Sequence, residues 1–151
     1  MASDKRSSWV VSSSSEEKPW GKETSWSSPN TVKVKTFVLE SGKRNSFKFN
    51  SLKDELLVCV SGKIKVYYGD EEIITDGFGD LKMSTLLPGM GLAVQPNCPY
   101  RLEAIEDSNI LEISTSSLAR QEVVRLHDDY GRETKFISTH VSEIIKKWFL
   151  N

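Results

Sequence analysis

The stretch GKRNSFKFNSLKDELLVCVSG, residues 42–62, decides the fold of this 151-residue chain. It begins and ends at a glycine, and inside it a polar loop separates a short aromatic run from a longer apolar run. Side chains alternate along a strand, so Lys48 and Asn50 face one side of the first run while Phe47 and Phe49 face the other. The stretch therefore predicts two strands joined by a short loop.

The rest of the chain repeats this pattern of short strands and turns. Runs rich in Val, Ile, Tyr and Phe alternate with turn-forming pairs such as Gly69-Asp70 and Pro88-Gly89. The run TVKVKTFVL alternates valines with lysines, as a half-buried strand does. Many short strands with regular turns predict an all-β sandwich or barrel. The predicted strands cover residues 31–39, 46–50, 55–60, 63–68, 91–94, 100–104 and 109–114.

The two ends of the chain depart from this β pattern. Residues 1–17 are rich in serine and offer little to bury, which predicts a flexible tail. Near the other end, apolar residues recur at intervals of three and four, which predicts one amphipathic helix over residues 138–151. Its apolar face consists of Val141, Ile144, Ile145, Trp148 and Phe149. A single β domain over residues 18–137 lies between tail and helix.

Composition and charge narrow the classes of partner. The 20 Lys and Arg residues nearly balance the 21 Asp and Glu residues, so no net field favours nucleic acid or an anionic membrane. The longest apolar run, residues 56–60, is too short to span a membrane, and the start has no signal-peptide core. We therefore expect a cytoplasmic protein with neither nucleic acid nor a membrane as partner. Cys59 and Cys98 are expected to be reduced thiols.

Two segments of the chain follow a known motif spacing. Residues 42–62 have the layout G-x5-H-x-H-x4-E-x6-G, and GMGLAVQPNCPY, residues 89–100, has the layout G-x5-P-x-G-x2-H. This spacing resembles the two motifs of the cupins, which implies a cupin barrel, also called a double-stranded β-helix or jelly roll, followed here by the C-terminal helix. In that family His, His, Glu and His hold one metal ion. The matching residues here are Lys48, Asn50, Glu55 and Tyr100.

Two further segments resemble one branch of the cupins. KPWG, residues 18–21, looks like the (R/K)-P-W-G that opens the cupin domain of type II mannose-6-phosphate isomerases. EVVRLHDDYGR, residues 122–132, looks like the closing signature of that domain. The chain is similar to the stand-alone form of this family. The resemblance implies an isomerase that converts mannose 6-phosphate to fructose 6-phosphate with a zinc ion, in polysaccharide or nucleotide-sugar metabolism.

The residues at the metal positions argue against that zinc ion. Zinc prefers His nitrogen, Cys sulfur or carboxylate oxygen, and the Lys48 ammonium would repel a divalent cation. Asn50 and Tyr100 are poor zinc ligands. The two histidines, His127 and His140, form no short-spaced ligand pair with a cysteine. We expect the family's zinc site to be lost and no cofactor to take its place.

The same positions suggest a metal-free pocket. Glu55 is the candidate base and Lys48 the candidate stabiliser of an enediolate, which makes these two the candidate catalytic residues of an isomerase. Asn50, Tyr100 and Arg101 are the candidate ligand-binding residues for a sugar phosphate or another small polar ligand. Alternatively, Lys48 and Glu55 form an ion pair that fills the space of the metal. The protein is then a catalytically inactive cupin that serves as a ligand-binding or assembly module.

The segment at residues 125–132 also has two interpretations. Arg125, Asp128, Asp129 and Arg132 could bind phosphate or sugar hydroxyls, or could pin a turn by ion pairs. The structural interpretation is favoured.

An exposed pair of phenylalanines is unlikely on a lone soluble barrel. If Lys48 faces the inside of the barrel, Phe47 and Phe49 face outward and require cover. An arm of the chain, the C-terminal helix or a second copy of the chain could provide it. Ordinary packing within the chain and a homodimer interface are weighed about equally, and we expect a homodimer.

Overall fold

The computed structural model of the protein describes residues 5–27, 32–115 and 123–150. Within these ranges the chain forms nine strands and two helices. In chain order they are β1 (Ser13–Lys18), β2 (Gly21–Trp26), β3 (Val32–Leu39), β4 (Phe47–Asn50), β5 (Glu55–Tyr68), α1 (Glu72–Thr75), β6 (Lys82–Leu86), β7 (Gly91–Val94), β8 (Tyr100–Thr115), β9 (Val123–His127) and α2 (Thr139–Phe149).

Strand β8 organises the sheet, because it pairs with β3 along one edge and with the long strand β5 along the other. The order is β1-β2-β3-β8-β4-β9, and β5 branches from β8 and carries β6 and β7. Neighbouring strands are antiparallel, and the sheet curls into a half-barrel whose strands contain 51% of the described residues. The predicted all-β barrel with a C-terminal helix is confirmed.

Strands β5 and β8 are longer than the sequence predicted. Each runs without interruption through a position at which turn residues predicted a break, next to Gly62 in β5 and Ser108 in β8. The pairing shifts register there instead, which is a bulge rather than a turn. Ser108 Oγ accepts a hydrogen bond from the Lys63 backbone N–H at 3.0 Å and donates one to the Glu106 carbonyl at 2.7 Å. The turn signals therefore mark a kink between two long strands.

Part of the predicted tail is a strand. Residues 13–18 pair along their whole length with β2, although their side chains remain almost fully exposed. The turn of this hairpin places Trp20 inside the barrel, where its ring meets Phe37 edge-on at 5.4 Å. Gly21 follows with a φ of +152°, and a Cβ there would lie 1.9 Å from the Val38 carbonyl oxygen. Hydrogen bonds between the backbones of β1 and β2 order this segment. A prediction from composition considers only side-chain burial and therefore misses these bonds.

Two apolar layers hold the molecule together. The barrel core consists of Trp20, Phe37, Leu39, Leu57, Cys59, Ile64, Val66, Leu86, Leu92, Val94, Tyr100, Leu102, Ala104 and Ile110. The helix layer lies outside the sheet and consists of Phe47, Phe49, Tyr67, Ile73, Leu81, Leu126, Val141, Ile144 and Phe149. Strand alternation separates the two layers, since neighbouring residues of β4 and β8 point to opposite faces.

Helix α2 provides the cover that Phe47 and Phe49 require. Phe47 is fully buried, and its ring lies 5.0 Å from that of Phe149. Ser138 caps the helix by accepting a hydrogen bond from the Val141 N–H at 3.2 Å. Each phenylalanine buried in this way contributes about 2 kcal/mol through the hydrophobic effect. The phenylalanine pair is thus covered within one chain, and it makes no demand for a partner.

No helix within residues 5–27, 32–115 and 123–150 has the length and apolar character needed to cross a membrane. Both cysteines are free thiols, Cys59 buried and Cys98 half-buried.

Candidate functional site

A polar cavity opens at one end of the barrel. Its volume is about 250 Å³. Strands β1, β2, β3, β4, β8 and β9 contribute its walls, and the hairpin turn at Trp20 closes one side. The lining residues are Lys18, Trp20, Glu23, Lys35, Phe37, Asn45, Ser46, Lys48, Tyr100, Glu112, Val123, Arg125 and Arg132. Five of these are basic and two are acidic, so the cavity favours an anionic occupant.

Lys48 points into this cavity from β4, as its alternation with Phe47 and Phe49 predicts. Its Nζ lies 5.0 Å from the centroid of the Tyr100 ring, a cation–π contact. Within the described part of the chain, no carboxylate oxygen comes within 4.0 Å of this amine. Burial lowers the pKa of Lys48 to about 8, against the opposing effect of Glu55 and Glu112. The amine therefore lies in the cavity with no acidic group of the described residues at ion-pair distance.

Glu55 lies behind Tyr100 and is absent from the cavity wall. The Tyr100 hydroxyl donates to Glu55 Oε2 at 2.6 Å, in a site where both side chains are buried. Burial and the nearby Glu112 raise the pKa of Glu55, and burial together with Glu55 raises that of Tyr100. The sequence offered an ion pair between Lys48 and Glu55 as an alternative. This ion pair does not form, because the Glu55 carboxylate accepts a hydrogen bond from the Tyr100 hydroxyl instead.

A second charged network, formed by Glu23, Lys35 and Glu112, was missed by the sequence reasoning. Lys35 Nζ lies 2.9 Å from Glu23 Oε1 and 3.4 Å from Glu112 Oε2. Burial disfavours the charged forms of Lys35 and Glu23. The charge of Glu112 and the contact with Glu23 nevertheless raise the pKa of Lys35, and the contact with Lys35 lowers that of Glu23. Glu112 Oε2 is buried and accepts no hydrogen bond of good geometry. Lys35 thus lines the cavity from β3, whereas the exposed Lys33 is not among the lining residues and the valines of this strand lie on the outer face.

The residues at positions 125–132 divide between the two interpretations. Asp128 accepts hydrogen bonds from the Tyr130 and Arg132 backbone N–H groups and from the Arg132 guanidinium, at 2.8 to 3.3 Å. Burial opposes the charge, but these bonds lower the pKa of Asp128 to about 2. Asp129 accepts two bonds from Arg44. The aspartates pin a turn, as the structural interpretation predicted, and Glu122 lies outside the described residues.

Arg125, in contrast, faces the cavity with little to hold it. Its Nη1 donates to the Glu133 carbonyl at 3.5 Å, and its buried Nε has no hydrogen-bond partner. No carboxylate of the described residues lies within 4.0 Å of its guanidinium. Arg125 is opposite Lys48 in the pairing of β4 with β9, so both cations enter the cavity from neighbouring positions.

Arg101 and Asn50 lie away from the cavity. Arg101 is fully buried on the opposite face of β8, where its Nε donates to the Asn45 carbonyl at 2.7 Å and its guanidinium covers the Phe149 ring. Asn50 closes the loop after β4, since its Oδ1 accepts from the Leu52 and Lys53 N–H groups. The structure therefore brings Lys48 and Tyr100 together at the cavity and places Glu55 behind them. The expected positions of Arg101 and Asn50 as ligand contacts require correction, because strand alternation and a turn direct both elsewhere.

The residues at the motif positions do not fit the zinc ion of the resembled family. Lys48 offers an ammonium, and the amide of Asn50 is hydrogen-bonded within a turn. Tyr100 offers a phenol, which donates its hydrogen bond to the Glu55 carboxylate. Within the described ranges, no group of three or more His, Cys, Asp and Glu side chains is arranged to hold a metal. A site built from these four residues offers one strong zinc ligand, Glu55, where structural and catalytic zinc sites have three or four.

No protein-family model matches the chain, and no curated protein sequence matches it. Solved structures are similar to it. A variant of oxalate decarboxylase from Bacillus subtilis has a TM-score of 0.61 at 12% identity and covers 72% of this chain and 28% of its own. KdgF from Halomonas sp. has a TM-score of 0.57 at 12% identity, with coverages of 72% and 89%. CapF, solved with the inhibitor 3-isopropenyl-tropolone, has a TM-score of 0.54 at 14% identity, with coverages of 81% and 33%.

These neighbours share a fold with this chain, and identities of 12% to 14% carry the likeness no further than the fold. The chain spans less than a third of the oxalate decarboxylase chain and most of the KdgF chain.

Proposed function

From the premise that this chain is a cupin-fold barrel, we propose that its cavity binds a small anionic sugar, of the sugar phosphate class, without a metal ion. The proposal keeps the substrate class of the mannose-6-phosphate isomerase resemblance, in polysaccharide or nucleotide-sugar metabolism. It departs from that resemblance by assigning binding to the protein's own cations.

One observation carries this proposal: Lys48 and Arg125 line the same cavity, and neither has an acidic partner among the described residues. The other three basic residues of the cavity are paired, Lys18 and Lys35 with Glu23 and Arg132 with Asp128. Two unpaired cations in a partly desolvated site attract an anion strongly, and a guanidinium binds phosphate with two parallel hydrogen bonds.

The size of the cavity fits the same class of ligand. Pockets for drug-sized molecules range from about 300 to 1,000 Å³, and this cavity has about 250 Å³. A phosphorylated sugar of three to six carbons is a smaller ligand with many hydroxyls. Ser46 and Asn45 add polar groups to the wall at the end where β4 begins. Hydroxyl and amide groups are the usual partners of sugar hydroxyls.

Isomerase activity is the second candidate, because Tyr100 lies in the cavity wall and connects it to Glu55. Tyr100 lines the cavity and its hydroxyl contacts Glu55, whose pKa is raised by burial and by Glu112. A carboxylate with a raised pKa is a better base near neutral pH. Glu55 would then move a proton through the phenol, and Lys48 would stabilise the enediolate. If this pair does not move protons, the protein is a binding module.

Titration calorimetry with mannose 6-phosphate, fructose 6-phosphate, mannose and inorganic phosphate tests the binding proposal. We expect the phosphorylated sugars to bind and mannose not to bind. Lys48→Met and Arg125→Gln should each weaken binding by about tenfold or more, which corresponds to the loss of a charge-assisted hydrogen bond. Lys33→Met, at an exposed position of β3, is the matched control and should bind normally. Absence of binding at millimolar sugar phosphate would refute the proposal.

An isomerisation assay and metal analysis on the same preparation separate the two candidates. Turnover of mannose 6-phosphate that Glu55→Gln abolishes would establish the isomerase. Binding without turnover would leave the binding module. Stoichiometric zinc in protein purified without chelators would contradict the metal-free site.

The homodimer remains a proposal, and the outer face of the sheet supports it. A row of apolar residues in register crosses five strands there, from β2 to β7. The row consists of Trp26, Val34, Ile113, Leu56 and Ala93. Ile113 and Leu56, at its centre, are 37% and 41% exposed. An apolar row of this extent on a sheet face is typical of surfaces that pair with another protein.

A further inference from the structure

The acidic groups of the barrel interior are each engaged by a group other than Lys48. Glu55 accepts from the Tyr100 hydroxyl at 2.6 Å. Glu23 and Glu112 both contact Lys35, at 2.9 and 3.4 Å. The Lys48 amine is left over the face of the Tyr100 ring, which can neither accept its proton nor neutralise it fully. An amine held in this way, reachable from an open cavity, is arranged for a ligand rather than for an ion pair.

The position opposite Lys48 suggests what that ligand carries. Arg125 is the cross-strand partner of Lys48 in the pairing of β4 with β9, and both side chains line the cavity. Opposed residues in an antiparallel pair have Cβ atoms roughly 5 Å apart. One small molecule can therefore meet the amine with one end and the guanidinium with the other. The guanidinium favours an anionic group. The amine, in its neutral form, favours an electrophilic carbon such as that of a carbonyl group.

We propose that Lys48 is a carbonyl-binding amine, which forms an imine with a small aldehyde or ketone whose phosphate group is held by Arg125. The inference rests on the proposed function, since the open-chain form of a sugar phosphate has both groups. It goes further in assigning a covalent step to a residue that the resembled family does not have at this position.

The step balances without an oxidant or a reductant. The lone pair of the neutral Lys48 nitrogen forms a bond to the carbonyl carbon while the C=O π bond opens onto oxygen. Proton transfer from nitrogen to oxygen gives a carbinolamine. Loss of the hydroxyl as water, which takes the second amine hydrogen, leaves the C=N bond. Water that enters the open cavity can carry these protons.

The electrostatics of the cavity support the reactivity. Desolvation, together with the nearby charges of Lys35 and Arg125, disfavours the ammonium form of Lys48 and brings its pKa to about 8. An ordinary lysine at pH 7.5 is neutral about once in a thousand molecules, and one with this pKa about once in four. Because lower basicity also lowers nucleophilicity, the net gain in rate falls to about tenfold. Desolvated lysines beside other cations are the ones proteins use for imine chemistry.

Reductive trapping followed by peptide mass spectrometry tests the proposal. The protein is treated at pH 7.5 with D-glyceraldehyde 3-phosphate and sodium cyanoborohydride, and modification of each lysine is followed in time. Lys22 and Lys82, both exposed, are the internal references. We expect Lys48 to be modified about tenfold faster than either reference, in line with its larger neutral fraction. Equal rates at Lys48 and the references would overturn the proposal.

A second arm tests the role of Arg125. D-glyceraldehyde, which lacks the phosphate, should modify Lys48 more slowly than the phosphorylated aldehyde, and inorganic phosphate should protect Lys48 but not Lys22. Arg125→Gln should remove the preference for the phosphorylated aldehyde. A preference that survives in Arg125→Gln would overturn the assignment of the phosphate to this residue. Because the main readout uses the wild-type protein, a variant that fails to fold does not decide the matter.

The outcomes separate this inference from the proposed function. Sugar phosphates that bind in calorimetry while Lys48 is modified no faster than Lys22 would leave the binding function and remove the imine. Neither binding nor selective modification would remove both. Selective modification of Lys48 by the phosphorylated aldehyde without binding of mannose 6-phosphate would support the imine and exclude the hexose phosphate as ligand.

Discussion

Lys48 carries its charge inside a barrel that provides no counter-ion for it within the described ranges. Folding therefore removes part of the water around an ammonium group, which destabilises the folded protein. A charge with this cost is expected to be retained only where it serves ligand binding. Lys48→Met removes the charge and leaves an unbranched side chain that is one heavy atom shorter. We expect the variant to be about 1 to 3 kcal/mol more stable than the wild type at pH 7 and to bind the ligand more weakly.

The direction in which stability changes with pH tests whether the charge of Lys48 causes this destabilisation. The pKa of Lys48 is about 8 in the folded protein and 10.5 ordinarily. Between these values the unfolded state binds more protons, so the wild type gains stability as pH rises from 8 to 10.5 and lacks that stability below pH 8. Chemical denaturation across this range should show the gap between Lys48→Met and wild type closing toward pH 10.5. A gap that stays constant with pH, or that Lys33→Met reproduces, would mean that packing and not charge is responsible.

At single residues, the sequence predicted one residue of each motif at the cavity. Lys48 and Tyr100 reach the cavity, and the alternation of β4 was enough to orient the first of them. Lys35 and Glu112 were missed because they belong to different strands, and only the pairing of β3 with β8 makes them neighbours. Arg101 was misplaced because sequence proximity to Tyr100 does not mean a shared face: adjacent strand residues point in opposite directions.

At the scale of elements, the bulge shared by β5 and β8 shows why turn residues misled the strand assignment. Gly62 has a φ of +91°, a left-handed conformation that glycine adopts without strain and that also occurs in turns. Pairing over the rest of both strands decides that the chain continues instead of reversing. The sequence predicted the position of the irregularity, whereas its type depended on a partner strand more than 40 residues away.

Gly62→Ala tests how tightly this bulge is packed, with Gly89→Ala as a control matched in backbone angle. Both glycines have a φ of +91°, but a Cβ at Gly62 would lie 2.3 Å from Ser108 Oγ and 2.5 Å from the Asp107 carbonyl, and at Gly89 it would meet nothing within 4 Å. We expect Gly89→Ala to cost about 1 kcal/mol from backbone strain alone. Gly62→Ala should cost about 3 kcal/mol or more in urea denaturation, because backbone atoms must also move. Equal costs would show that the bulge yields freely.

At the scale of the molecule, the apolar row on the outer face predicts self-association. Ile113→Lys and Leu56→Lys place a charge at the centre of the row and should shift the protein from dimer to monomer in sedimentation velocity. Phe136→Lys, at a position that is 71% exposed outside the sheet, is the control and should leave the dimer unchanged. A wild-type protein that is monomeric at tens of micromolar would contradict the homodimer.

The overall fold was predictable to a greater depth than the site. The short strands, the two motif spacings and the helical stripe all agreed on a β barrel with a C-terminal helix, and the structure and its neighbours confirm that fold. Local pattern and long-range packing coincide wherever a strand has one apolar face. They diverge at the cavity end, where the inward face of β3 is polar and pattern alone assigns it to solvent.

The hairpin turn that carries Trp20 gives the cavity an optical reporter. Trp20 lies in the cavity wall and is 7% exposed, whereas Trp9 and Trp26 are 60% and 36% exposed. Trp148, on α2, donates its indole N–H to Asp80. Emission from a buried indole lies to the blue of emission from exposed ones, so Trp20 contributes to the blue part of the protein's fluorescence, together with the half-buried Trp148. Occupation of the cavity can therefore be followed in the unlabelled protein, in real time, through the fluorescence of Trp20.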